Sequence, residues 1–274
     1  MIEIWTEELP PNWRWHPKKF LGGTPETVVN LAENFDDNVI VYYDGEPCNH
    51  NGVYYLPRED YQARDILIAV NSTPENLAQY NIYTTSWFHA RDYEYPHFDE
   101  RIVLSPYHQK IFGENSRIIP LGCNKELFYG GDKIQKQCLF SSSPDRGADF
   151  LDSIWSDVEK ETGAKLIKTY NINISEEEMI DFYKSSQFWL HPGQGIELFC
   201  ISALKAQVSG CIPVFVPNMA LETTLEYGIR TSLGKFKEDL ISAIKSPPEV
   251  GKVNAYSWKE IANEYLAHMA QGAL

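Results

Sequence analysis

From residue 138 onward the sequence alternates short apolar runs with amphipathic stretches, and few folds accept that pattern. Cys138–Ser141 reads as a strand. Ala148–Glu161 reads as a helix with its apolar stripe at Phe150, Leu151, Ile154, Trp155 and Val158. Lys165–Thr169 is the next strand, and Ser175 with Glu178 forms a capping box that opens a helix running to Ser186. Phe188–His191 and Ile212–Val216 are strands, Glu197–Val208 is a helix, and Leu221–Tyr227 is a helix stopped at Gly228. Strands joined by helices of this length need right-handed βαβ crossovers and a parallel sheet.

The N-terminal half carries the same theme less cleanly. Met1–Trp5 is a short strand candidate, and Val39–Tyr43, Ile66–Val70, Ile82–Thr85 and Arg101–Leu104 are short apolar runs suited to strands buried on both faces. Thr24 followed by Pro25 looks like an N-cap with proline at the first helical position. Val28, Val29, Leu31, Ala32 and Phe35 then keep helical spacing. Gly130-Gly131-Asp132 interrupts the pattern between Glu126 and Lys136, where the two halves should join. A last amphipathic helix begins behind Ser257.

Charge narrows the partners. The 274 residues hold 38 acidic against 24 basic side chains, a formal net charge of -14. A sequence-independent nucleic-acid binder needs a cationic face that displaces counterions, so nucleic acid is not expected as a partner. Anionic lipid is disfavoured for the same reason. No run of 18 apolar residues exists to span a bilayer, and the acidic N-terminus is unlike a secretory signal. The five cysteines are scattered singly without a C-x-x-C pair, as in a reduced, cytoplasmic protein.

Open parallel sheets bind ligands beyond the carboxyl ends of their strands, and three loops at such ends carry chemistry. Gly22-Gly23-Thr24 precedes a helix whose free N–H groups suit an anion; tight turns also use Gly-Gly. Ser141 to Gly147 combines hydroxyls, including Ser143, with the guanidinium of Arg146, a set suited to a diphosphate; a capped turn with Asp145 paired to Arg146 is the plainer reading. His191 to Cys200 is glycine-rich and places Glu197 where its helix should begin; helix capping by an acid is the alternative. His89 follows the Ile82–Thr85 run and could polarise a hydroxyl, or simply pack among aromatics. There is no P-loop, no G-x-S-x-G elbow, no H-E-x-x-H and no D-x-D metal-holding pair.

Ser143-Pro144-Asp145-Arg146-Gly147, then Glu197 through Ala206, then Ser209-Gly210-Cys211-Ile212-Pro213-Val214 together resemble the C-terminal half of retaining family-4 glycosyltransferases. Gly22-Gly23-Thr24, Ile118 to Asn124 and the Ser257-Trp258 tail fit the same scheme. The resemblance implies a GT-B fold, two Rossmann-like domains with parallel sheets facing across a cleft. The domains would be an acceptor-side domain over 1–130, a nucleotide-sugar-binding domain over 131–256 and a final helix, 257–274, packing back toward the first. It implies a glycosyltransferase, most simply a hexosyltransferase, that moves a sugar from a nucleotide-diphosphate sugar to a glycan or other hydroxyl acceptor with retention, without a metal or other cofactor. Glu197 and His89 would then be catalytic, with His89 reaching from the other domain. Gly22, Gly23, Ser141, Ser143, Arg146, Gly195, Ile196, Leu198, Phe199 and Lys205 would bind the donor. The aromatic loop with Trp13, Arg14, Trp15 and His16 would face the acceptor. Two positions depart from the family: Ser141 stands where it carries a basic residue, and Lys205 where it carries a second glutamate. Those departures favour the competing reading, a non-catalytic nucleotide-sugar or glycan-binding module with a degenerate donor site. An epimerase acting on a nucleotide sugar is a third, weaker reading.

Overall fold

A computed structural model describes residues 1–11, 13, 23–85, 98–170 and 174–272. The chain divides into two compact units. The first is Met1–Gly122 with Tyr256–Leu274, and the second is Cys123–Ala255.

The first unit contains β1 (Ile2–Thr6), α1 (Gly23–Asn34), β2 (Val39–Tyr43), β3 (Cys48–His50), β4 (Val53–Pro57), β5 (Ile66–Val70), β6 (Tyr80–Thr84), β7 (Glu100–Val103), α2 (Pro106–Phe112) and β8 (Arg117–Ile118). The sheet order is β3-β4-β2-β1-β5-β6-β7-β8, parallel except for the β3–β4 hairpin. The central strands are buried along most of their length: β5 reads as an unbroken apolar run, and β1 and β6 bury the polar Glu3, Thr6, Asn81 and Thr84 as well. α1 runs from Gly23, so Thr24 and Pro25 lie within its first turn rather than ahead of it.

The second unit contains α3 (Lys125–Phe128), β9 (Ile134–Phe140), α4 (Ala148–Thr162), β10 (Lys165–Lys168), α5 (Glu176–Ser185), β11 (Ser186–His191), α6 (Ile201–Val208), β12 (Ile212–Phe215), α7 (Leu221–Thr224), β13 (Ile229–Arg230) and α8 (Phe236–Lys245). Its five strands are all parallel in the order β10-β9-β11-β12-β13. Cys138, Phe140, Phe188 and Leu190 point to one face and pack under α4 and α8 with Leu151, Val158, Phe236 and Leu240. The expected capping box is formed: Ser175 Oγ accepts from Glu178 N–H, and the Glu178 carboxylate accepts from Ser175 N–H. The tail helix, α9 (Trp258–Gly272), belongs to the first unit, where Tyr265 meets Phe35 edge-on and Lys259 reaches the Asn34 carbonyl.

Two helices differ from expectation. The Leu221–Tyr227 helix ends at Thr224 because Leu225 is extended. The Glu197–Val208 helix begins only at Ile201, behind an extended Cys200. At the short end of α7 the Glu226 N–H donates to the Gln207 side-chain oxygen instead of to its own helix, and at the late start of α6 the backbone of Glu197 is engaged elsewhere. The Ala220 N–H donates to the Glu197 carbonyl, and the Glu197 N–H faces the Met219 sulfur, so Glu197 binds residues 219–220 instead of extending α6. Glu197 is therefore a loop residue and not a helix-capping acid.

Candidate active site

Strands β9, β11 and β12 end side by side, so the loops that follow them share one edge of the second sheet. After β9, Ser143-Pro144-Asp145-Arg146 makes a single tight turn, with the Arg146 N–H donating to the Ser143 carbonyl. That turn fixes the root of the Arg146 side chain. After β11, the loop from Pro192 to Phe199 is tied down by Asn218, whose side-chain amide donates to the carbonyls of Gly193 and Gly195. Gly195 has a φ of +71°, and a Cβ there would fall 2.2 Å from Arg146 Nη1. Glycine at 195 thus leaves the space that the guanidinium occupies.

The result is a small charged group. Arg146 Nε lies 3.4 Å from Glu197 Oε2 and its Nη1 lies 2.9 Å from Asp145 Oδ2. His191 Nε2 is 4.0 Å from the same Glu197 oxygen. His191 is fully buried, and its Nδ1 accepts the Gly193 N–H. The neutral ring therefore carries its proton on Nε2, and that atom has no hydrogen-bond partner among the described residues. Burial, then the nearby Arg146 charge, pulls the His191 pKa down to about 3, so the imidazole stays neutral. Burial pushes Glu197 up to about 7, against the opposing pull of Arg146. At neutral pH this carboxyl is poised between its two forms, beside one fixed cation and one neutral N–H donor.

His191, Glu197 and Cys200 also bring nitrogen, oxygen and sulfur ligand atoms within 4.8 Å of one another. Those atom types suit a borderline metal such as zinc. The Arg146 guanidinium already lies against the carboxylate of that set, and a second cation would have to displace it.

The remaining sequence candidates fall into three groups. Arg146, Gly195 and Glu197 converge, with Ile196 and Leu198 in the same loop and Leu198 buried. Phe199 sits half-buried beside them, and Ser143 is exposed in the turn. Ser141 and Lys205 face inward. The Ser141 hydroxyl lies 2.7 Å from Tyr183 Oη and accepts the Trp189 Nε1–H at 3.0 Å. Lys205 is 1% exposed with Nζ 5.2 Å from the Phe128 ring centroid. Trp13 and Gly23 lie in the first unit, where Trp13 packs against Tyr55 and His50. Gly22, Arg14, Trp15, His16 and His89 lie outside the described residues.

Sequence reasoning passed over His191 and Asn218. A polar residue closing the apolar run Phe188-Trp189-Leu190 was the available signal for the first, since strand ends carry ligands in open sheets. Asn218 gave no signal, because its role depends on a loop brought alongside by β12.

No protein-family model matches the chain, and no curated protein matches it by sequence. Solved structures do match it. AviGT4, a glycosyltransferase involved in avilamycin A biosynthesis, superposes with a TM-score of 0.70 over 98% of this chain and 97% of its own, at 14% identity. HepE from Anabaena, in complex with UDP and glucose, gives 0.70 over 98% and 99% at 10% identity. A sucrose-phosphate synthase from Thermosynechococcus elongatus gives 0.67 over 98% of each chain at 13% identity.

The fold is GT-B. In a GT-B chain each unit is a Rossmann-like α/β layer, and the loops after β9, β11 and β12 lie at the carboxyl edge of the second layer's sheet. Among the described residues no helix is long and apolar enough to cross a membrane.

Proposed function

We propose that this chain is a retaining, metal-independent glycosyltransferase, a hexosyltransferase that moves a sugar from a nucleoside-diphosphate sugar to a hydroxyl of a glycan or related acceptor. The observation that carries the reading is the convergence of Arg146, Glu197 and His191 at the carboxyl edge of the second sheet. The GT-B neighbours add support: HepE was solved with UDP-glucose as well as with UDP and glucose. Five free cysteines suit a reducing compartment, in keeping with a cytoplasmic enzyme.

The chemistry follows from the charges. As the glycosidic bond of the donor lengthens, negative charge gathers on the departing diphosphate and positive charge on the sugar ring. Arg146 provides a fixed cation for the first, and its charge is worth more in this half-buried loop than in water. Glu197, when ionised, accepts hydrogen bonds from ring hydroxyls and opposes the positive charge. The His191 Nε2–H is a neutral donor for a sugar or phosphate oxygen and adds no charge that would weaken Glu197. Arg146 also supplies positive charge in the place where a metal would otherwise act.

The competing reading, a binding module with a degenerate donor site, is favoured by Ser141 and Lys205. The hydroxyl of one is taken up by Tyr183 and Trp189, and the other is buried against Phe128. Incubation with UDP- and GDP-sugars in the absence of acceptor separates the two. A transferase releases free sugar slowly, first as the donor's own anomer by proton NMR, whereas a binding module releases none. Inverted first product would refute retention.

Arg146→Ala is expected to weaken nucleoside-diphosphate affinity about tenfold or more, as loss of a charge-assisted contact worth about 1.5–3 kcal/mol requires. Calorimetric titration with UDP or GDP measures this, and an unchanged affinity in the folded variant would leave Arg146 with only its turn and Asp145. Transfer activity is expected to persist in EDTA. Complete loss on chelation, restored by Mn²⁺ or Mg²⁺, would overturn the metal-independent reading.

A further inference from the structure

The second unit holds a cavity of about 630 Å³ that the donor reading does not use. Lys133 leads into β9 and Gly210 into β12, so the cavity lies at the amino ends of these strands, the sheet edge opposite to Arg146 and Glu197. Lys125, Lys133 and Lys252 line it, and none of its described lining residues is acidic. In a chain of net charge -14 such a cluster stands out. Asp132 is adjacent in sequence to Lys133 but does not line the cavity.

Two groups there, the half-buried Lys133 and the buried Ser209, lack partners that their settings call for. Lys133 Nζ donates to the Tyr183 carbonyl at 3.0 Å and lies 3.6 Å from Cys211 Sγ, but it has no carboxylate partner among the described residues. An ammonium partly withdrawn from water without a counter-charge is disfavoured, and desolvation lowers the Lys133 pKa against the opposing pull of Cys211. Ser209, 1% exposed, lines the same cavity with a hydroxyl that has no hydrogen-bond partner among the described residues. One bound anion would answer both deficits. The size and the rest of the lining fit a ligand larger than a simple ion. Val208, Val250 and Val253 offer apolar wall for a carbon body, and the volume falls in the range of small-molecule sites.

The geometry points to a second ligand site in this unit, one that takes a phosphorylated small molecule with its phosphate against Lys133 and Ser209 and with Lys252 at the mouth. The phosphate class is favoured over a single carboxylate because Lys133 and Lys252 together match a dianion, and because Gly130 and Gly210 leave room for tetrahedral oxygens to approach the backbone.

Glycerol 3-phosphate, with orthophosphate and glycerol as controls, tests the site by isothermal titration of the full chain at low ionic strength. The wild type and Arg146→Ala should both bind glycerol 3-phosphate, and glycerol should not bind. Lys133→Met and Lys252→Ala should each weaken binding by about tenfold, and Ser209→Ala by several-fold, a factor of ten being 1.4 kcal/mol. Lys252 is exposed, so its variant tests the site even where Lys133→Met disturbs packing. Orthophosphate binding as tightly as the ester would show a simple anion site and overturn the organic part of the proposal. Binding that is absent from the wild type at millimolar concentration, unchanged in both lysine variants, or lost in Arg146→Ala alone would overturn the whole.

Discussion

Glu197→Gln is expected to keep most of the donor affinity and to lower kcat about 10²-fold, a loss of roughly 2.7 kcal/mol in the transition state. Gln keeps the shape and one acceptor oxygen, so contacts with ground-state hydroxyls survive. It cannot oppose the positive charge that builds on the sugar ring, and a group matched to developing charge contributes mainly in the transition state. The pH behaviour of the same pair of proteins gives an independent check. Burial raises the Glu197 pKa from the ordinary 4.5 to about 7. A folded-state pKa above the unfolded value means that the folded protein holds the proton more tightly. This contribution to stability is therefore fully present below about pH 4.5 and is lost as pH rises through about 7. Over that window it amounts to roughly 3 kcal/mol at 1.36 kcal/mol per pH unit. Urea unfolding at several pH values should show that decline in the wild type and a flatter profile in Glu197→Gln. Because the ionised form is the one that opposes the ring charge, kcat in the wild type should climb with pH through the neutral range, and this limb should vanish in the variant. An unaltered kcat with a flattened stability profile would leave Glu197 buried but uninvolved in transfer.

The parallel sheet of the second unit could be read from sequence because its strands are buried on both faces and its helices on one. Phe188-Trp189-Leu190 against the stripe of Ala148–Glu161 leaves little choice of element type. The β3–β4 hairpin was equally accessible and went unread. Asn51-Gly52 forms its two-residue turn with φ of 48° and 85°, the left-handed pair that Asn-Gly favours. The start of α6 was not accessible in the same way. Glu197 lies in register with the apolar stripe that follows it, and local propensity continues the helix back to it. Only the loop from Val216 to Ala220, which claims its backbone, stops that. The site divides along the same line. Arg146 and Glu197 stand in recognisable loops, whereas His191 shows in sequence only as the polar end of an apolar run, and its burial and unpartnered Nε2 come from the packing. Ser141 and Lys205 show the converse. Alignment with a family motif puts them on the donor, yet their side chains meet Tyr183, Trp189 and Phe128 inside the unit.

The largest stability loss is expected at Trp189. It is fully buried in β11, the central strand of the second sheet, with Leu139 and Pro213 as its neighbours in register on β9 and β12. Phe188 and Leu190 point to the α4–α8 face, so Trp189 faces the other way, toward Ser141 and Tyr183. Replacement by alanine removes an indole from a close-packed interior and should cost about 3–5 kcal/mol, a large share of the 5–15 kcal/mol that holds a typical domain folded. Trp189→Phe should cost less, because most of the apolar volume stays and the Ser141 hydroxyl still has Tyr183 as its partner at 2.7 Å. The indole also lies 5.4 Å, centroid to centroid, from the His191 ring, so it helps to hold the imidazole that faces Glu197. Cutting it to alanine admits water beside His191 and relaxes the burial that raises the Glu197 carboxyl. The pH limb of kcat should then shift toward lower pH in Trp189→Ala, provided that enough of the variant is folded to assay. In Trp189→Phe the limb should stay near its wild-type position, since a ring still covers the imidazole. Denaturant midpoints for both variants, with pH profiles for whichever is folded at 25 °C, separate a purely structural tryptophan from one that also sets the polarity of the site: the former lowers the midpoint and leaves the limb where it was.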